Sequence, residues 1–317
     1  MSLIDFASLV GFNVGPYRLK QLLGRGAMGA VYLGWDGAAR RLHAVKVLRP
    51  ELAIDDAYLQ RFFQEAEIGS SIRHDNLVRI HRGGMDDVIT PRGQLLELPW
   101  LCMDFISGTS VSKHVGEGGK LEPLMAAEVI RHVLVGVGFA HSKGLLHGDV
   151  KPDNIMVSSD GTVMLADFGL ARRMGSGATE GNSLSGGLEV LGTPYFMPPE
   201  LWAGAADVDP RADLFSVGAS FYRLLTGRPP FPGTNPSEVL HRLLSADADP
   251  VNSLNPAVDA QLSGIVMRML SRRRDDRYRS AEESGKMVQM WISSQKDADE
   301  TGLWAALVAM GAGHAMD

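Results

Sequence analysis

The residues best suited to chemistry lie close together in this chain, in the stretch HGDVKPDN and shortly after it. Asp149 is a candidate base for a hydroxyl proton, and Lys151 is a compact positive charge that suits a transferring phosphoryl group. Asn154 and Asp167 offer the hard oxygen ligands that Mg²⁺ prefers. Together these residue types indicate phosphoryl transfer, because that reaction depends mainly on positioning and charge neutralisation.

The composition is that of a folded protein large enough for one large domain or two lobes, with 317 residues, 45% hydrophobic and 21% charged. The formal net charge of −6 argues against a nucleic-acid partner, since phosphate contacts need a basic face. The single cysteine, Cys102, excludes an intrachain disulfide and suits a reducing, cytoplasmic compartment. We expect no secretory signal in the first residues and no apolar run near the roughly 20 residues of a membrane-spanning helix.

A glycine-rich motif, GRGAMG, is the first motif along the chain and lies between two strand-like segments. A dinucleotide-binding site would need a helix directly after the glycines. Instead Val31 and Trp35 belong to a segment that alternates with the period of a strand. The pattern therefore predicts a strand–loop–strand hairpin over phosphates, in which Gly24, Gly26 and Gly29 allow close backbone approach and positive φ.

Lys46 lies in an otherwise apolar strand-like segment, 43–48, and burial of an unpaired ammonium would be costly. The helical run at 56–72 carries two acidic candidates for a partner, Glu65 and Glu67. An exposed lysine on an edge strand is the alternative, and the glycine motif upstream makes it the weaker one.

These segments and others downstream resemble the motifs of protein kinases, in the family's order. The stretch 147–154 is similar to the catalytic loop H-R-D-L/V-K-P-x-N, with Gly148 in place of the usual arginine. Residues 192–200, GTPYFMPPE, resemble the end of an activation segment, and residues 213–218, DLFSVG, the start of the large buried helix. The resemblance extends from residue 17 to about residue 291 and is to the bacterial eukaryotic-like (Hanks-type) Ser/Thr protein kinases.

The resemblance implies an α+β, bilobal protein-kinase-like fold with a small β-rich N-lobe and a larger helical C-lobe. The expected divisions are a lead-in at 1–16, the N-lobe at 17–106, the C-lobe at 107–295 and a tail at 296–317 that docks on the domain. Hydrophobic periodicity predicts strands at 17–23, 43–48, 77–81, 95–106, 155–157 and 163–165, and helices at 56–72 and 126–141.

The cofactors implied are ATP and Mg²⁺, with Mn²⁺ as an alternative ion. The residues implied to contact ATP are Gly24, Gly26, Gly29, Val31, Ala44, Lys46, Glu65, Met103, Asp104, Ile106 and Met156. Family spacing selects Glu65 rather than Glu67 as the partner of Lys46. It also makes Met103 the gatekeeper and Met156 the floor under adenine, although both are equally compatible with ordinary core positions.

The resemblance assigns catalytic roles as well. Asp149 would orient and deprotonate the substrate hydroxyl, and Lys151 would stabilise charge on the γ-phosphoryl group. Asn154 and Asp167 would hold the metal. Lys151 and Thr193 favour Ser/Thr over Tyr in the protein substrate.

Three further residues would support this machinery. Asp213 would accept hydrogen bonds from the backbone of the catalytic loop, and Arg277 would pair with Glu200.

Gly148 leaves two other functions open. His-Gly-Asp also resembles small-molecule phosphotransferases of the antibiotic and choline kinase type, but those carry His where this chain has Lys151. An ATP-binding pseudokinase scaffold is the second alternative, prompted by Gly148 and by Gly69 in the predicted helix. The presence of Lys46 and Asp167 argues against it.

Gly148 also bears on regulation. An arginine at this position grips a phosphate on the activation segment, so phosphorylation of that segment is expected to matter less here. The candidate sites are Ser176, Thr179, Ser183 and Ser185, and Arg172 or Arg173 could replace the missing arginine.

Overall fold

The protein is described here by a computed structural model, which covers residues 5–89, 93, 95–167, 172–173, 194–205, 207–295 and 300–312. These residues form two compact units. The first unit runs to Arg73 and resumes over Val78–Ile106, and the second comprises His74–Leu77 and the residues from Ser107 onward. A smaller β-rich unit and a larger helical unit agree with the α+β architecture predicted from the sequence.

A six-stranded antiparallel sheet dominates the first unit, in the order β1-β2-β3-β4-β6-β5. Its strands are β1 (Asn13–Val14), β2 (Tyr17–Arg25), β3 (Gly29–Asp36), β4 (Arg41–Leu48), β5 (Ile80–Ile89) and β6 (Leu95–Asp104). Its helices are α1 (Pro50–Ala53) and α2 (Asp56–Ser71), with a 3₁₀ turn at Phe6–Leu9. The predicted hairpin around the glycine motif is confirmed by the antiparallel pairing of β2 with β3.

The lead-in covers one face of this sheet. Phe6 and Leu9 are 4% and 0% exposed, and they join a single apolar cluster with Tyr32 of β3 and Val45 of β4. Side chains alternate between the two faces of a strand. The uncovered face of the sheet therefore carries the residues that alternate with those of this apolar cluster.

Helix α2 packs against β5, and Gly69 is required for that contact. A Cβ atom at position 69 would lie 2.5 Å from Cδ1 of Ile80. A larger side chain would therefore displace the first residue of β5, which gives Gly69 a packing role.

The strand predicted at 77–81 is wrong in position and length, because β5 begins at Ile80 and ends at Ile89. Leu77 instead forms an isolated parallel bridge with Leu165, and the side chain of Asn76 donates to the carbonyl oxygen of Val163 at 2.8 Å. Most of β5 has no apolar alternation, because its middle reads RGGMDD. Pairing with β6, which periodicity does not detect, makes it a strand.

The second unit is mostly helical. Its strands are β7 (Gly108–Ser110), β8 (Leu145–Leu146), β9 (Ile155–Ser158), β10 (Val163–Leu165) and β11 (Arg172–Arg173). Its helices are α3 (Val111–Val115), α4 (Pro123–Ser142), α5 (Pro199–Trp202), α6 (Arg211–Thr226), α7 (Pro236–Ser245), α8 (Val251–Leu254), α9 (Ala260–Met269), α10 (Ala281–Ser294) and α11 (Glu300–Ala312). Short 3₁₀ turns lie at Pro194–Phe196 and Arg274–Asp276.

Helix α4 is the core helix predicted from periodicity. Val129, Val133 and Val137 are each 0% exposed, and the helix packs against α6 and α10. Its 20 residues are also long and apolar enough to cross a membrane, so the expectation that no run approaches this length was wrong. Burial inside the unit accounts for the apolar composition of α4.

Helix α11, in the segment expected to dock as a tail, packs on β7 and β9 of the second unit. Leu307 and Met310 are 1% and 2% exposed, whereas Trp304 on the same helix is 50% exposed.

Candidate active site

Four of the candidate nucleotide residues share the face of the first unit's sheet that the lead-in does not cover. Val31 is the ladder partner of Lys46, and Ala44 is the partner of Met103. Directly opposed residues in an antiparallel ladder project to the same side, and Ala44 and Lys46 are two residues apart on β4. The strand register therefore brings these four side chains onto one surface.

Lys46 and Glu65 form a buried ion pair. The Lys46 Nζ atom lies 3.0 Å from Oε2 and 3.2 Å from Oε1 of Glu65, and the two side chains are only 10% and 1% exposed. The face of α2 that carries Glu65 is buried, whereas Glu67 is exposed. The helical period thus places Glu65 next to Lys46 and directs Glu67 away.

The three glycines of the glycine loop (residues 24–29) differ in how closely other atoms approach them. A Cβ atom on Gly24 would meet no atom within 4 Å, and one on Gly26 would meet only the carbonyl oxygen of Gly29, at 4.0 Å. A Cβ on Gly29 would lie 2.0 Å from the carbonyl oxygen of Val47, so Gly29 permits the close approach of β4. The expectation of positive φ was wrong for all three, since none adopts it.

The predicted hinge follows β6. Met103 is 9% exposed. The carboxylate of Asp104 accepts hydrogen bonds from His81 Nε2 at 2.7 Å and from Arg41 Nη2 at 3.1 Å. These contacts tie the Asp104 side chain to the neighbouring strands, so any contact it makes with a nucleotide would use its backbone. Ile106 is half-buried.

In the second unit, three catalytic candidates meet around one carboxylate. Lys151 Nζ donates to Oδ2 of Asp149 at 2.7 Å, and Asn154 Nδ2 donates to the same oxygen at 3.1 Å and to the Asp149 backbone carbonyl at 2.8 Å. About 25% of the Asp149 side chain remains exposed, which leaves it reachable.

Burial and neighbouring charges shift the pKa values of both Asp149 and Lys151. Burial raises the pKa of Asp149, the negative charge of Asp167 adds to that rise, and Lys151 opposes it. Burial alone would lower the pKa of Lys151, but the Asp149 carboxylate outweighs it and the pKa of Lys151 is raised. Lys151 therefore stays charged and favours the ionised form of Asp149.

Asn154 and Asp167 lie on adjoining segments, because the amide of Ala166 donates to the backbone carbonyl of Asn154 at 2.8 Å. The side-chain nitrogen of Asn154 is engaged with Asp149, so its amide oxygen is the atom left for a cation. Asp167 is half-buried and holds a φ of +67°. An amide and a carboxylate oxygen fit Mg²⁺, which uses few protein ligands together with phosphates and waters.

Clusters of three or more His, Cys, Asp or Glu side chains that could hold a metal do not occur among the residues that the structure describes. Asn154 and Asp167 would supply two protein oxygens to a bound Mg²⁺, and phosphates and waters would supply its other ligands. Met156, on β9, is half-buried.

The loop that carries Asp149 is anchored by a buried carboxylate on α6. Asp213 accepts hydrogen bonds from the backbone amides of His147 and Gly148, both at 2.8 Å, and from His141 Nε2, also at 2.8 Å. Burial by itself would raise the pKa of Asp213, but the donors outweigh it and the pKa is lowered. The predicted contact to the loop backbone is present in the structure.

A second anchor joins α5 to the region before α10. Arg277 is 1% exposed, and its Nη1 and Nη2 atoms donate to Glu200 at 2.6 and 2.9 Å. This is a bidentate pair of the kind that fixes geometry as well as charge.

Several predicted features lie outside the described residues. They are Phe168, Gly169, Thr193, Ser176, Thr179, Ser183 and Ser185, together with the side chains of Arg172 and Arg173.

Sequence reasoning missed a network at the start of α4. Glu128 accepts hydrogen bonds from Arg131, through Nε at 2.9 Å, and its Oε1 atom lies 3.2 Å from Nε2 of His132. His132 Nδ1 in turn lies 3.1 Å from Asn76 Nδ2. Arg131 and His132 follow Glu128 by three and four residues, a spacing at which side chains on a helix meet. This spacing was the sequence signal that could have revealed the network.

A family model described as the protein kinase domain matches residues 17–287. The chain belongs to the protein kinase domain family. The match includes every candidate site residue in both units, and it confirms the predicted family and its fold of a β-sheet N-lobe and a helical C-lobe.

Two curated bacterial kinases are similar to this chain. A probable serine/threonine-protein kinase of Streptomyces coelicolor is 33% identical over 299 residues, which cover 94% of this chain and 42% of the relative. The serine/threonine-protein kinase PknB of Mycobacterium tuberculosis is 35% identical over 267 residues, covering 84% of this chain and 41% of PknB. The kinase domain thus spans about two fifths of the length of the curated relatives it matches.

Among solved structures, the crystal structure of the Mycobacterium tuberculosis PknI kinase domain is similar to this one. The TM-score is 0.66 and the sequence identity is 27%, with 90% of this chain and 99% of the PknI domain covered. The similarity extends over almost the whole of the PknI domain.

Proposed function

We propose that this chain is a Ser/Thr protein kinase domain that transfers the γ-phosphoryl group of ATP to hydroxyl groups of proteins, including its own. The observation that carries the proposal is the convergence of Lys151 and Asn154 on the carboxylate of Asp149. That arrangement supplies a base, a positive charge and a metal ligand within one short loop, which is what phosphoryl transfer requires.

The first unit would bind the nucleotide. In this proposal Lys46, held by Glu65 at 3.0 Å, contacts the α- and β-phosphates, and the glycine loop lies over the phosphate chain. The remaining apolar contacts to adenine come from Val31, Ala44 and Met103, which share one face with Lys46. Backbone groups at Asp104 and Ile106 complete the proposed cofactor contacts of the first unit, and Met156, on β9 of the second unit, is a further candidate contact.

The second unit would carry the chemistry. The substrate hydroxyl oxygen forms a bond to the γ-phosphorus as the bond from phosphorus to the β–γ bridging oxygen breaks, and ADP leaves with that electron pair. The hydroxyl proton passes to Asp149 and then to solvent. Lys151 stabilises charge on the transferring group. Because Asp149 must be ionised to accept the proton, the raised pKa of Asp149 makes its neighbour Lys151 important.

The divalent ion would be held by Asn154 and Asp167, through an amide and a carboxylate oxygen. Mg²⁺, or Mn²⁺ in its place, supplies neutralisation of phosphate charge when bound. The positive φ of Asp167 is a conformation that Asp and Asn tolerate better than most residues, so an Asn substitution can remove the charge without added backbone strain.

Transfer of labelled γ-phosphate from Mg²⁺-ATP to the chain itself and to a generic Ser/Thr substrate tests the proposal. Asp149→Asn and Asp167→Asn are expected to abolish labelling. Asp247→Asn is the matched control, because Asp247 is 92% exposed, belongs to the same unit and pairs with Arg272 rather than with a residue of the catalytic loop. Mass spectrometry of the labelled chain would locate the modified residues, and the serines and threonine between 176 and 185 are the first positions to inspect.

Other outcomes would point to the alternatives. Binding of ATP without transfer at any Mg²⁺ or Mn²⁺ concentration would support a pseudokinase scaffold. Phosphorylation of an aminoglycoside or choline, with protein untouched, would support a small-molecule phosphotransferase. We place the domain in the cytoplasm in this proposal, since ATP is its donor and its one thiol, Cys102, is buried and free of disulfide bonding.

A further inference from the structure

Arg49, which directly follows β4, ties two points of the glycine loop to that strand. Its Nη2 atom donates to the carbonyl oxygen of Gly26 at 3.0 Å, and its backbone amide donates to the carbonyl oxygen of Met28 at 2.9 Å. Arg49 lies three residues after Lys46. The loop and the lysine assigned to the phosphates are therefore linked through one short piece of backbone.

The guanidinium of Arg49 is in turn held by the lead-in. Its central carbon lies 5.8 Å from the centre of the Phe6 ring, a cation–π distance. The carbonyl oxygen of Phe6 accepts a hydrogen bond from the Tyr32 hydroxyl at 2.7 Å, and Tyr32 is 0% exposed on β3. Phe6 is thus tied to the sheet by a buried hydrogen bond, and its ring lies within cation–π range of Arg49.

A second contact from the lead-in to the loop is weaker. Asp5 pairs with Arg25 at 3.2 Å, but their side chains are 67% and 51% exposed. Exposed ion pairs contribute little to stability. The contacts of Arg49 and Phe6 are therefore the main link between the lead-in and the glycine loop. The family match begins at residue 17, so family membership gives the lead-in no role.

The hydrogen bond to Gly26 sets the direction of a loop amide. In a planar trans peptide the carbonyl of one residue and the N–H of the next point in opposite directions. With the Gly26 carbonyl turned toward Arg49, the N–H of Ala27 is turned away from it. Backbone N–H groups in glycine loops are the donors that phosphates use. The open space around Gly24 and Gly26 means that side-chain packing does little to fix this part of the loop.

We propose that Arg49 is a positioning residue that holds the glycine loop in place for the nucleotide phosphates, and that Phe6 of the lead-in positions Arg49. This inference rests on the proposed function, in which the loop binds ATP. The contacts of Arg49 are with the loop and the lead-in, so we assign it a role that acts through the loop.

The test is steady-state kinetics of the full chain, with calorimetric binding of a non-hydrolysable ATP analogue measured in parallel. Arg49→Met removes the side-chain donors and keeps the aliphatic stem. It is expected to raise the KM for ATP and the Kd of the analogue about tenfold, the size of one hydrogen bond from a charged donor, with kcat within about twofold. Arg49→Lys should recover part of the affinity. Phe6→Leu keeps an apolar side chain without the ring and should shift the KM in the same direction.

Arg18→Met is the matched control, because Arg18 is an exposed arginine on β2 of the same unit, and its KM should equal that of the wild type. Melting temperatures separate positioning from stability. A lower melting temperature with unchanged KM and Kd in the Arg49 and Phe6 variants would assign them a structural role and overturn the inference. If Arg49→Met does not fold, Arg49→Lys and Phe6→Leu decide the question. A wild type that binds no analogue would contradict the proposed function and this inference together, whereas normal wild-type binding with unaltered variants contradicts this inference alone.

Discussion

The backbone amide of Gly148 donates to the buried carboxylate of Asp213 at 2.8 Å, and Gly148 holds a φ of +78° while it does so. The amide of His147 donates to the other oxygen of the same carboxylate. Asp213 thus fixes the peptide groups just before Asp149 in a conformation that favours glycine. The departure from the usual arginine at this position suits the backbone conformation of this chain.

Gly148→Ala is therefore expected to destabilise the protein by about 1–2 kcal/mol, the cost of left-handed backbone for a residue with a Cβ. Chemical unfolding with a two-state analysis measures the change, and Gly204→Ala is a comparison at another positive φ, +64°. Similar costs at the two positions would show that strain dominates. No loss of stability at 148 would mean that the loop relaxes to another conformation.

Gly148→Arg distinguishes the effect of backbone strain at position 148 from the effect of activation-segment phosphorylation on activity. It should carry the same backbone cost as Gly148→Ala, and it should make activity depend on phosphorylation of the activation segment, because a guanidinium can grip a phosphate there. Phosphatase treatment before the kinase assay measures that dependence. The wild type should lose little activity on treatment and the arginine variant should lose more. A wild type that loses most of its activity would contradict this prediction.

The Lys46–Glu65 pair offers a test of buried charge. Removing one partner takes a close opposite charge away from the other, which stays buried, so Lys46→Met and Glu65→Leu should each destabilise the protein by about 3–5 kcal/mol. The double variant should be more stable than the sum of the single effects predicts, since it removes both charges of the pair together. All three proteins should lack phosphate transfer, as measured by the γ-phosphate assay. Additive losses of stability would argue that the two residues are not coupled.

Motif order allowed most of the fold and the candidate site to be predicted from sequence. The glycine loop, Lys46, Asp149 and Asp167 form a combination of residue types and spacings that few other folds share, and their order along the chain restricts the fold. Core helix α4 was predictable because its apolar period is strong. Family spacing was needed to choose Glu65 over Glu67, since charge alone favours neither.

Other features depend on tertiary contacts that a local pattern does not contain. The strand β5 is specified by its pairing with β6, and its own sequence shows little strand period. Gly69 is explained only when Ile80 is seen against it. The cation–π contact between Phe6 and Arg49 joins residues far apart in sequence, and residues 5–9 carry no motif that would suggest it.

Glu128 is expected to give the protein a pH-dependent contribution to stability. Burial raises the pKa of Glu128, but the hydrogen bonds from Arg131 and His132 outweigh it and lower the pKa to about 2. Because the folded-state pKa lies below the unfolded value, the contribution is fully present above about pH 4.5 and is lost as the pH falls toward 2.

Glu128→Gln should therefore cost on the order of 2 kcal/mol in the free energy of unfolding at pH 7, and the cost should disappear near pH 2. Urea unfolding at several pH values measures it. Glu117→Gln, at an exposed position, is the control and should show no such dependence. A cost at position 128 that stays constant with pH would contradict the assigned shift.

Docking of helix α11 depends on one close contact. A Cβ atom on Gly311 would lie 1.7 Å from the carbonyl oxygen of Ser158, at the end of β9. The turn that follows is close as well, since a Cβ on Gly161 would lie 3.1 Å from Val308 Cγ2. Any side chain at position 311 must therefore push the helix away from β9.

Gly311→Val is expected to detach α11, and hydrogen exchange of the amides in residues 300–312 should accelerate markedly. The melting temperature should fall as well, because Leu307 and Met310 lose their burial. Gly302→Val is the matched control, since it is the same substitution at an exposed position of the same helix, and it raises helix propensity to a similar extent without touching the docked face. Equal exchange rates in the two variants would mean that local helix propensity, and not the contact with Ser158, governs the order of the tail.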